Sequence, residues 1–450
     1  MPLCKTYYVN AETGRDSFDG LSEATAFASL RAVNRLTLQP GDQVRLARGS
    51  VFAGQYLHLT CCGSKDAPIV VGAYGDGPAP RIDADGQGIW YQDYGCPLDS
   101  PTHVYRGYVS SAVLLYDAAY VTVQDLEITN HSGAILGESY SQPDKMERTG
   151  VAVVAKDKGT CRGITLRDLA IHDVNGNVYD KHMNNGGIYM TALSPADEAA
   201  TGPARFADVL VEGCYLYRVS RWGLAVGYTY AHAHFQGAAL EEAPFLKYGH
   251  ENVTIRDNVF WEGNQTNIHI EPIIQELDPN NPLHKNMTIE GNTFYLNNTS
   301  AISALSVENL TIRDNAFKRA DDGIDSELTV STDQLQPGGK AGLKLEMSTN
   351  VNDAGLFSFR GCKNVVLSGN TYGDGLNTRA SVSDMDTSEI HLEDEDVRLN
   401  EDSIKQFLLK DCKVQYISTD ESVVRVDGAG GTVEAVAPGH AQVYASMVAT

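Results

Sequence analysis

Residues 252–260 read NVTIRDNVF, and close copies of this stretch recur along the chain. Within it, Val253 and Ile255 alternate with polar residues, which is the period of a β-strand that buries one face. An Asp-Asn pair then breaks the alternation, and a second short apolar run follows. The unit that the chain repeats is therefore a strand, a tight corner and another strand.

The copies recur at intervals of tens of residues. They are NMTIEGNTF from Asn286, NLTIRDNAF from Asn309 and NVVLSGNTY from Asn364, with looser copies YVTVQDLEI from Tyr120, GITLRDLAI from Gly163 and DVLVEGCYL from Asp208. We expect the corner asparagines, Asn258, Asn292, Asn315 and Asn370, to adopt the left-handed backbone conformation, which asparagine tolerates well. Units that cannot bury an apolar face alone become stable when stacked, so the repeats predict a solenoid.

This repeat pattern resembles the right-handed parallel β-helix of the pectate-lyase-like superfamily. The opening stretches YYVNAETGRDSFDGLSEATAFASL and LQPGDQVRLARGSVFAG look like the N-terminal entry of secreted carbohydrate-active β-helices. The resemblance covers roughly residues 6–385 and implies an all-β fold. It does not fix the chemistry, because this fold hosts lyases, hydrolases, epimerases and non-catalytic spikes.

The composition and the residue pattern of the sequence change after about Ser383. An acidic stretch without corner asparagines leads into VQYISTDESVVRVDGAGGTVEAVAPGHAQVYASM, whose alternation and Gly and Pro turns are typical of a small antiparallel sandwich. This stretch resembles a bacterial immunoglobulin-like module. We predict a β-helix over residues 1–385 and a C-terminal β-sandwich over residues 386–450. Such modules usually accompany secreted or surface proteins, which favours an extracellular or bacterial cell-surface location.

Charge limits the partners. The 450 residues include 35 Lys and Arg against 58 Asp and Glu, for a net charge of -23. Such a surface repels polyanions, so nucleic acid, anionic membranes and polyuronates are disfavoured as partners. No run of eighteen apolar residues occurs, so we expect no membrane span. A neutral oligosaccharide fits this charge better.

The polar stretch HDVNGNVYDKHMNNGG, residues 172–187, connects two of the predicted rungs and is the leading candidate for a catalytic site. Asp173 and Asp180 would be roughly 23 Å apart in an extended chain, but the turn-forming residues 175–177 would fold the chain back between them. Glycosidic cleavage needs two carboxyl groups with different roles. We expect both to be exposed on the outer face of the solenoid. The alternative is that Asp173 only caps a turn and Asp180 is solvated.

Three ionisable neighbours of this pair, His172, Lys181 and His182, are candidate substrate-binding residues. A cation beside one carboxyl group and not beside the other would separate their pKa values, as a pair with split roles requires.

Other stretches offer further candidates. Residues 218–237 contain Arg221, Trp222, Tyr228 and His232, which could form a sugar platform or could pack as an aromatic loop. His269 and Glu271 share one face of a short predicted strand, where they could reach a ligand if that face points outward. The acidic stretch DDGIDSE, residues 321–327, could hold calcium through oxygen ligands or could be a solvated turn. No metal ligands and no other cofactor are assigned.

A β-helix with two aspartates seven residues apart in one connection resembles the β-helical lacto-N-biosidase family of gut bacteria, which act on human milk oligosaccharides. The resemblance implies a retaining hydrolase that releases lacto-N-biose, with Asp173 as acid/base and Asp180 as nucleophile. Members of that family carry an additional N-terminal domain, sometimes as a separate chain, and nothing before Lys5 matches it. A separate companion subunit is therefore expected.

Two other functions stay open on the sequence alone. One is a polysaccharide lyase or uronate epimerase on the same fold, and the other is a non-catalytic adhesin that binds glycans.

Overall fold

The computed structural model of the chain describes residues 4–93, 107–131, 146–176, 186–219, 222–227, 249–261, 267–270, 280, 282–296, 300–319, 355–401, 412–426 and 433–449. The chain divides into two compact units, Met1–Asn400 and Glu401–Thr450. Helix is confined to single turns in the described residues: α1 (Leu30–Val33), α2 (Glu198–Thr201) and the 3-10 turns Glu23–Thr25 and Thr387–Glu389. In the same part of the chain, no helix is long and apolar enough to cross a bilayer.

The first unit is built on three long sheets. Among the described residues, the first sheet has twelve strands, all paired in parallel. They are β1 (Thr6–Val9), β2 (Gln43–Ala47), β5 (Ile69–Tyr74), β9 (Val121–Gln124), β12 (Thr160–Arg162), β13 (Ile164–Arg167), β16 (Arg205–Glu212), β19 (Glu251–Arg256), β22 (His284–Glu290), β25 (Val307–Arg313), β28 (Lys363–Ser368) and β31 (Ile390–Glu393).

The second sheet has nine strands in the described residues, and each directly follows a strand of the first sheet in the chain. They are β3 (Val51–Ala53), β6 (Arg81–Asp83), β10 (Glu127–Asn130), β14 (Ala170–Val174), β17 (Tyr215–Val219), β20 (Val259–Trp261), β23 (Thr293–Leu296), β26 (Ala316–Arg319) and β29 (Thr371–Tyr372).

The third sheet has eleven strands in the same part of the chain. They are β4 (Leu57–Leu59), β7 (Ile89–Tyr91), β8 (Tyr108–Tyr116), β11 (Glu147–Ala155), β15 (Gly186–Ala192), β18 (Trp222–Val226), β21 (Ile268–Ile270), β24 (Ile302–Leu305), β27 (Phe357–Arg360), β30 (Arg379–Ser383) and β32 (Arg398–Glu401). The chain passes from sheet to sheet in turn, so each circuit is one rung. The predicted all-β fold, a parallel β-helix, is confirmed.

Each quoted repeat is a strand of the first sheet followed by a strand of the second. NVTIRDNVF, for example, supplies most of β19 and the start of β20. Its alternating apolar residues point into one continuous core that runs the length of the solenoid. Phe260, Phe294 and Phe317 stack inside it with ring centroids 5.1 and 5.0 Å apart.

The predicted conformation of the corner asparagines is wrong. Positive φ belongs to the residue before each asparagine, such as Asp257 (55°) and Asp314 (56°), and Asn258 and Asn315 do not adopt it. The preceding residue turns the chain, and the asparagine side chain then points inward, where it is almost fully buried. The physical reason is that the amide can replace main-chain hydrogen bonds that the corner interrupts.

The buried amides form a ladder along the solenoid. Asn292 Oδ1 accepts hydrogen bonds from the backbone N–H of Asn258 at 3.0 Å and from its Nδ2 at 2.9 Å. Asn292 Nδ2 donates to the carbonyl of Ile255 at 2.9 Å and to Asn315 Oδ1 at 3.0 Å. Asn315 bonds to Asn370 in the same way. Every amide therefore satisfies buried groups on two rungs.

The second unit, Glu401–Thr450, contains two antiparallel strand pairs. Strand β33 (Cys412–Ser418) pairs with β36 (Val443–Ala449), and β34 (Val424–Val426) pairs with β35 (Val433–Ala435). This is a small antiparallel sheet structure, and the immunoglobulin-like module stays a prediction. Strands that pair with the solenoid continue beyond residue 385, since β31 pairs with β28.

The ladder predicts the effect of removing one amide. Asn292→Ala should lower the free energy of unfolding by about 3 kcal/mol or more, because buried donors and acceptors on both neighbouring rungs lose partners at about 1–3 kcal/mol each. Chemical denaturation measures this. The matched control is Asn286→Gly, which removes an exposed amide of the same repeat while keeping its φ of 57° accessible, and should cost much less. Equal losses in the two variants would contradict the ladder's role.

Candidate active site

A backbone irregularity at the end of β14 positions Asp173. The register of β10 with β14 pairs Thr129 with His172 and then Asn130 with Val174. Asp173 is therefore the extra residue of a β-bulge, and its φ is 52°. A bulge interrupts the strict alternation of side chains along a strand. Val174 packs in the core, and the side chains of His172 and Asp173 contact each other outside it.

Arg218 occupies the same level in the next rung. The register of β14 with β17 places it opposite Asp173, and its φ is 48°. Aspartate and asparagine tolerate this left-handed region well, whereas a long side chain is uncommon there. In the described part of the chain Arg218 is the only basic residue with positive φ. The bond between Arg218 Nη2 and Asp173 Oδ2 gives a reason for the conformation.

The two residues belong to a chain of alternating charges that crosses four rungs. Asp173 Oδ2 accepts a hydrogen bond from His172 Nδ1 at 2.7 Å and another from Arg218 Nη2. His172 Nε2 lies 3.1 Å from Glu127 Oε1, so both ring nitrogens face carboxylates. Arg81 Nη1 lies 3.4 Å from the same Glu127 oxygen. The order of groups is cation, anion, cation, anion, cation.

Asp173 and His172 are each only 8% exposed, so little solvent screens the interactions between their charges. Burial alone would raise the pKa of Asp173, but the hydrogen bonds and charges of His172 and Arg218 outweigh it and lower that pKa. Burial alone would lower the pKa of His172, yet its bonds to Asp173 and Glu127 raise it. The hydrogen bond from His172 lowers the pKa of Glu127. The directions of the three pKa shifts therefore favour the charged forms of Asp173, His172 and Glu127.

An ionised Asp173 suits some roles in glycosidic cleavage better than others. A nucleophile or a general base must be ionised, whereas a general acid must carry a proton when the bond breaks. The charge pattern around Asp173 favours the ionised form. Of the groups bonded to Asp173 Oδ2, His172 can transfer the proton on its Nδ1 to the carboxylate. Arg218 cannot, because a guanidinium does not deprotonate.

The expected exposure of Asp173 is wrong. It is buried because the bulge lays its side chain against His172 and because Arg218 covers it from the next rung. The first residue of the predicted turn, Asn175, is fully buried and is held by Arg148. Arg148 Nη1 donates hydrogen bonds to the Asn175 carbonyl at 3.0 Å and to its Oδ1 at 2.8 Å. The next rung resumes at Gly186, the first residue of β15.

Most of the other predicted site residues lie outside the described residues. These are Asp180, Lys181, His182, Arg221, Tyr228, His232 and Glu271. The distance between the carboxyl groups of Asp173 and Asp180 is accordingly not part of the described geometry, and the pairing stays a prediction.

Trp222 and His269 are described, and they stack on each other. Their ring centroids are 4.7 Å apart with planes 5° from parallel, and Tyr189 lies 6.4 Å from Trp222. Trp222 is 2% exposed and His269 is 9% exposed. The stack gives both rings a packing role on the third sheet, and a role in sugar binding stays a prediction.

Sequence reasoning missed Glu127 and Arg218. A signal for both was present, because each lies 45 residues from its partner, the interval of one rung. Extending the repeat alignment a few residues past the corner would have set Arg218 beside Asp173.

No three His, Cys, Asp or Glu side chains of the described ranges lie close enough together to hold a metal ion. The acidic stretch 321–327, the candidate for calcium, lies outside those ranges.

Comparison with known proteins identifies relatives of this solenoid. No family model matches the chain. The crystal structure of the GH136 lacto-N-biosidase from Eubacterium ramulus is 35% identical, superposes with a TM-score of 0.62, and aligns with 88% of this chain and 67% of its own. The chain belongs to the GH136 family.

Two curated relatives add to this assignment. A lacto-N-biosidase from Bifidobacterium longum subsp. longum is 37% identical to this chain over 288 residues. The match covers 56% of this chain and 18% of that protein. An alpha-1,3-galactosidase A from Peterkaempfera griseoplana is 33% identical over 194 residues, 43% of this chain and 26% of that protein. The chain thus spans only a minor part of the length of either curated relative.

The charge network predicts a pH dependence of stability. A histidine whose pKa rises on folding contributes fully below its unfolded value of 6.5, and the contribution is lost as pH rises through the folded pKa. Asp173 and Glu127, with lowered pKa values, stay ionised there. His172→Gln should therefore lower the free energy of unfolding more at about pH 5.5 than at about pH 9.

Urea unfolding at the two pH values measures this, and His58→Gln is the control. Burial lowers the pKa of His58 to about 4, so His58 costs stability in acid and its replacement should be relatively milder at the lower pH. The same pH trend in both variants would count against the network.

Proposed function

We propose that this GH136 chain is the catalytic β-helix of a lacto-N-biosidase, a glycoside hydrolase that releases lacto-N-biose from milk-type oligosaccharides with retention of configuration. The observation that carries the proposal is the 35% identity to a GH136 lacto-N-biosidase across 88% of this chain. The buried charge network at Asp173 supports it, since perturbed carboxyl groups beside an irregular backbone are typical of catalytic sites.

In this proposal Asp173 and Asp180 are the two carboxyl groups that flank the scissile bond. One attacks the anomeric carbon to form a glycosyl-enzyme, while the other protonates the leaving oxygen and later activates water. Arg218 and His172 hold the Asp173 carboxylate in one orientation and keep it charged. The resemblance to the family makes Asp173 the acid/base, whereas its charge environment without substrate is that of a nucleophile or base.

The network argues against the rival function on this fold. A lyase or epimerase acting on a uronate needs cations that neutralise the substrate carboxylate and a basic group that removes a proton. The described cations around Asp173 are already paired, Arg218 with Asp173 and Arg81 with Glu127. A neutral sugar fits these paired charges and the net charge of -23 better.

The setting of the enzyme is part of the proposal. We propose an extracellular or bacterial cell-surface enzyme, with the residues after about 385 including an immunoglobulin-like module and with a companion subunit that completes the active unit. The antiparallel strand pairs of the second unit are compatible with such a module.

The first prediction for the reaction concerns turnover. Asp173→Asn and Asp180→Asn should each reduce the release of lacto-N-biose from lacto-N-tetraose by several orders of magnitude, on the order of 10⁴-fold, because each role is indispensable. The control is Asp168→Asn, which changes an exposed aspartate with a similar φ of 50° and should leave the rate unchanged.

Because Asp173 is buried, thermal unfolding of Asp173→Asn must be measured with the rate, at a temperature where the variant is folded. Near-native turnover of either variant would sink the assignment. Retention of the native chain on a glycan array with no hydrolysis of milk oligosaccharides or aryl glycosides would point instead to a binding protein.

A second prediction separates the two roles by chemical rescue. Azide added to Asp173→Ala should restore turnover of an activated aryl glycoside and give a glycosyl azide of unchanged anomeric configuration if Asp173 is the acid/base. If Asp173 is the nucleophile, the azide product has the opposite configuration, because azide then attacks the substrate directly. Proton NMR of the anomeric signal distinguishes them, with Asp180→Ala as the complementary variant.

A further inference from the structure

In the described part of the chain, the most exposed tyrosine side chains cluster in one place. Tyr56 is 37% exposed, Tyr91 41% and Tyr108 49%, and no other described Phe, Tyr or Trp side chain is classed as exposed. Ile89, 51% exposed, lies beside them on the same strand as Tyr91. We call these four residues the tyrosine patch. Scattered exposed apolar residues need no explanation, but a cluster of them marks a binding surface.

An interruption of the solenoid creates the patch. Strand β7 runs antiparallel to β8, whereas β8 pairs in parallel with β4 and β11, and the register sets Tyr91 directly opposite Tyr108. The two rings are 5.1 Å apart with planes 55° from parallel, so they form an open angle. Gly88, with φ 69°, leads into the strand and packs against Tyr56, where a Cβ atom would lie 2.9 Å from the Cβ of Tyr56.

The opposite face of β7 holds the strand in place. The indole Nε1 of Trp90 donates to Ser111 Oγ at 2.8 Å, and its ring lies 6.3 Å from that of Tyr116. Trp90 also packs against a buried apolar cluster on the third sheet. The strand is thus anchored through Trp90, while Ile89 and Tyr91 face solvent. A rigid, displayed aromatic surface is what ligand stacking requires, because little conformational entropy remains to be lost.

The patch lies on the same corner of the solenoid as the candidate active site. Strand β8 begins at Tyr108, and its neighbour β11 begins with Glu147 and Arg148, which pair with Val109 and Ser110. Arg148 in turn binds Asn175, two residues after Asp173. Since adjacent strands are about 4.8 Å apart, Tyr108 on β8 lies two strand spacings, about 10 Å, from the strand that follows this connection, and Tyr91 on β7 lies three spacings, about 14 Å, from it. One oligosaccharide could reach both.

The chemistry of the patch fits a neutral sugar better than a protein surface. Tyrosine offers an apolar face for the C–H groups of a pyranose and a hydroxyl for its polar edge. Asp93, two residues after Tyr91, is paired with Lys156 (Nζ to Oδ2, 3.1 Å), and its carboxylate, 47% exposed, can also accept a hydrogen bond from a sugar hydroxyl. A stable protein interface buries about 800 Å² on each partner, which four side chains do not supply.

We propose that the tyrosine patch is a sugar-stacking platform that binds residues of a neutral oligosaccharide remote from the cleaved bond. That this oligosaccharide is the substrate rests on the proposed lacto-N-biosidase function; that the patch binds neutral sugar does not. The platform holds one end of the chain through Tyr91 and Tyr108, and the other end extends along the corner toward Asp173.

The test measures binding separately from turnover. Lacto-N-tetraose is titrated by calorimetry into the full chain carrying Asp180→Asn, with and without Tyr91→Ala or Tyr108→Ala. Each alanine variant should weaken binding about fivefold, which corresponds to the loss of about 1 kcal/mol. Tyr91→Phe keeps the ring and should bind nearly as the parent does. Leu21→Ala, at a residue 47% exposed on the first unit but outside the patch, is the control and should change nothing.

The outcomes separate this proposal from the proposed function. If the native chain does not hydrolyse lacto-N-tetraose but binding depends on the two rings, the platform stands and the hydrolase assignment fails. If the native chain hydrolyses it and the alanine variants bind as the parent does, the platform is overturned. Unchanged affinity together with an altered elution volume in size-exclusion chromatography would also overturn it, in favour of a contact with a second copy of the chain.

Discussion

Rung-to-rung register is the constraint on which this structure depends. Parallel strands of successive rungs pair residue for residue, so each side chain lies about 4.8 Å from its counterpart in the next circuit. A side chain at a given position of one rung therefore contacts the side chains at the same position of the two neighbouring rungs, and it must pack favourably against them. Amides and phenyl rings do so favourably, and this is why Asn258, Asn292 and Asn315 form one ladder and Phe260, Phe294 and Phe317 form another.

The same constraint assembles the candidate active site from distant parts of the sequence. Charges at one level must alternate in sign between rungs, because like charges at this spacing repel. Glu127, His172 with Asp173, and Arg218 satisfy the rule across three rungs. Burial then makes each group depend on its neighbours, so the network keeps Asp173 ionised and fixed in orientation. A reaction that needs two carboxyl groups of unlike character can start from such a fixed charge.

The chemistry-bearing features occur where the repetition fails. The bulge at Asp173 breaks the alternation of β14, and the antiparallel strand β7 breaks the parallel order of the third sheet. Both lie on the corner between the second and third sheets, where the rungs around them keep the scaffold rigid. A solenoid therefore separates stability from binding: its repeats supply the core, and its irregular corner carries both the buried charge network at Asp173 and the exposed tyrosine patch.

The sequence alone determined the architecture, because a period of two and a recurring corner are local signals that survive in every copy. It also located the connection at residues 172–187, since polar residues between two rungs have no part in the core. Sequence could not give the conformation of the corner, where Asp257 takes the positive φ and Asn258 turns inward, because only the stacked neighbour supplies the amide's partners. Nor could it give the burial of Asp173 or its bond to Arg218, 45 residues away. Both depend on which residues of successive rungs lie side by side, and that register exists only in the stacked structure.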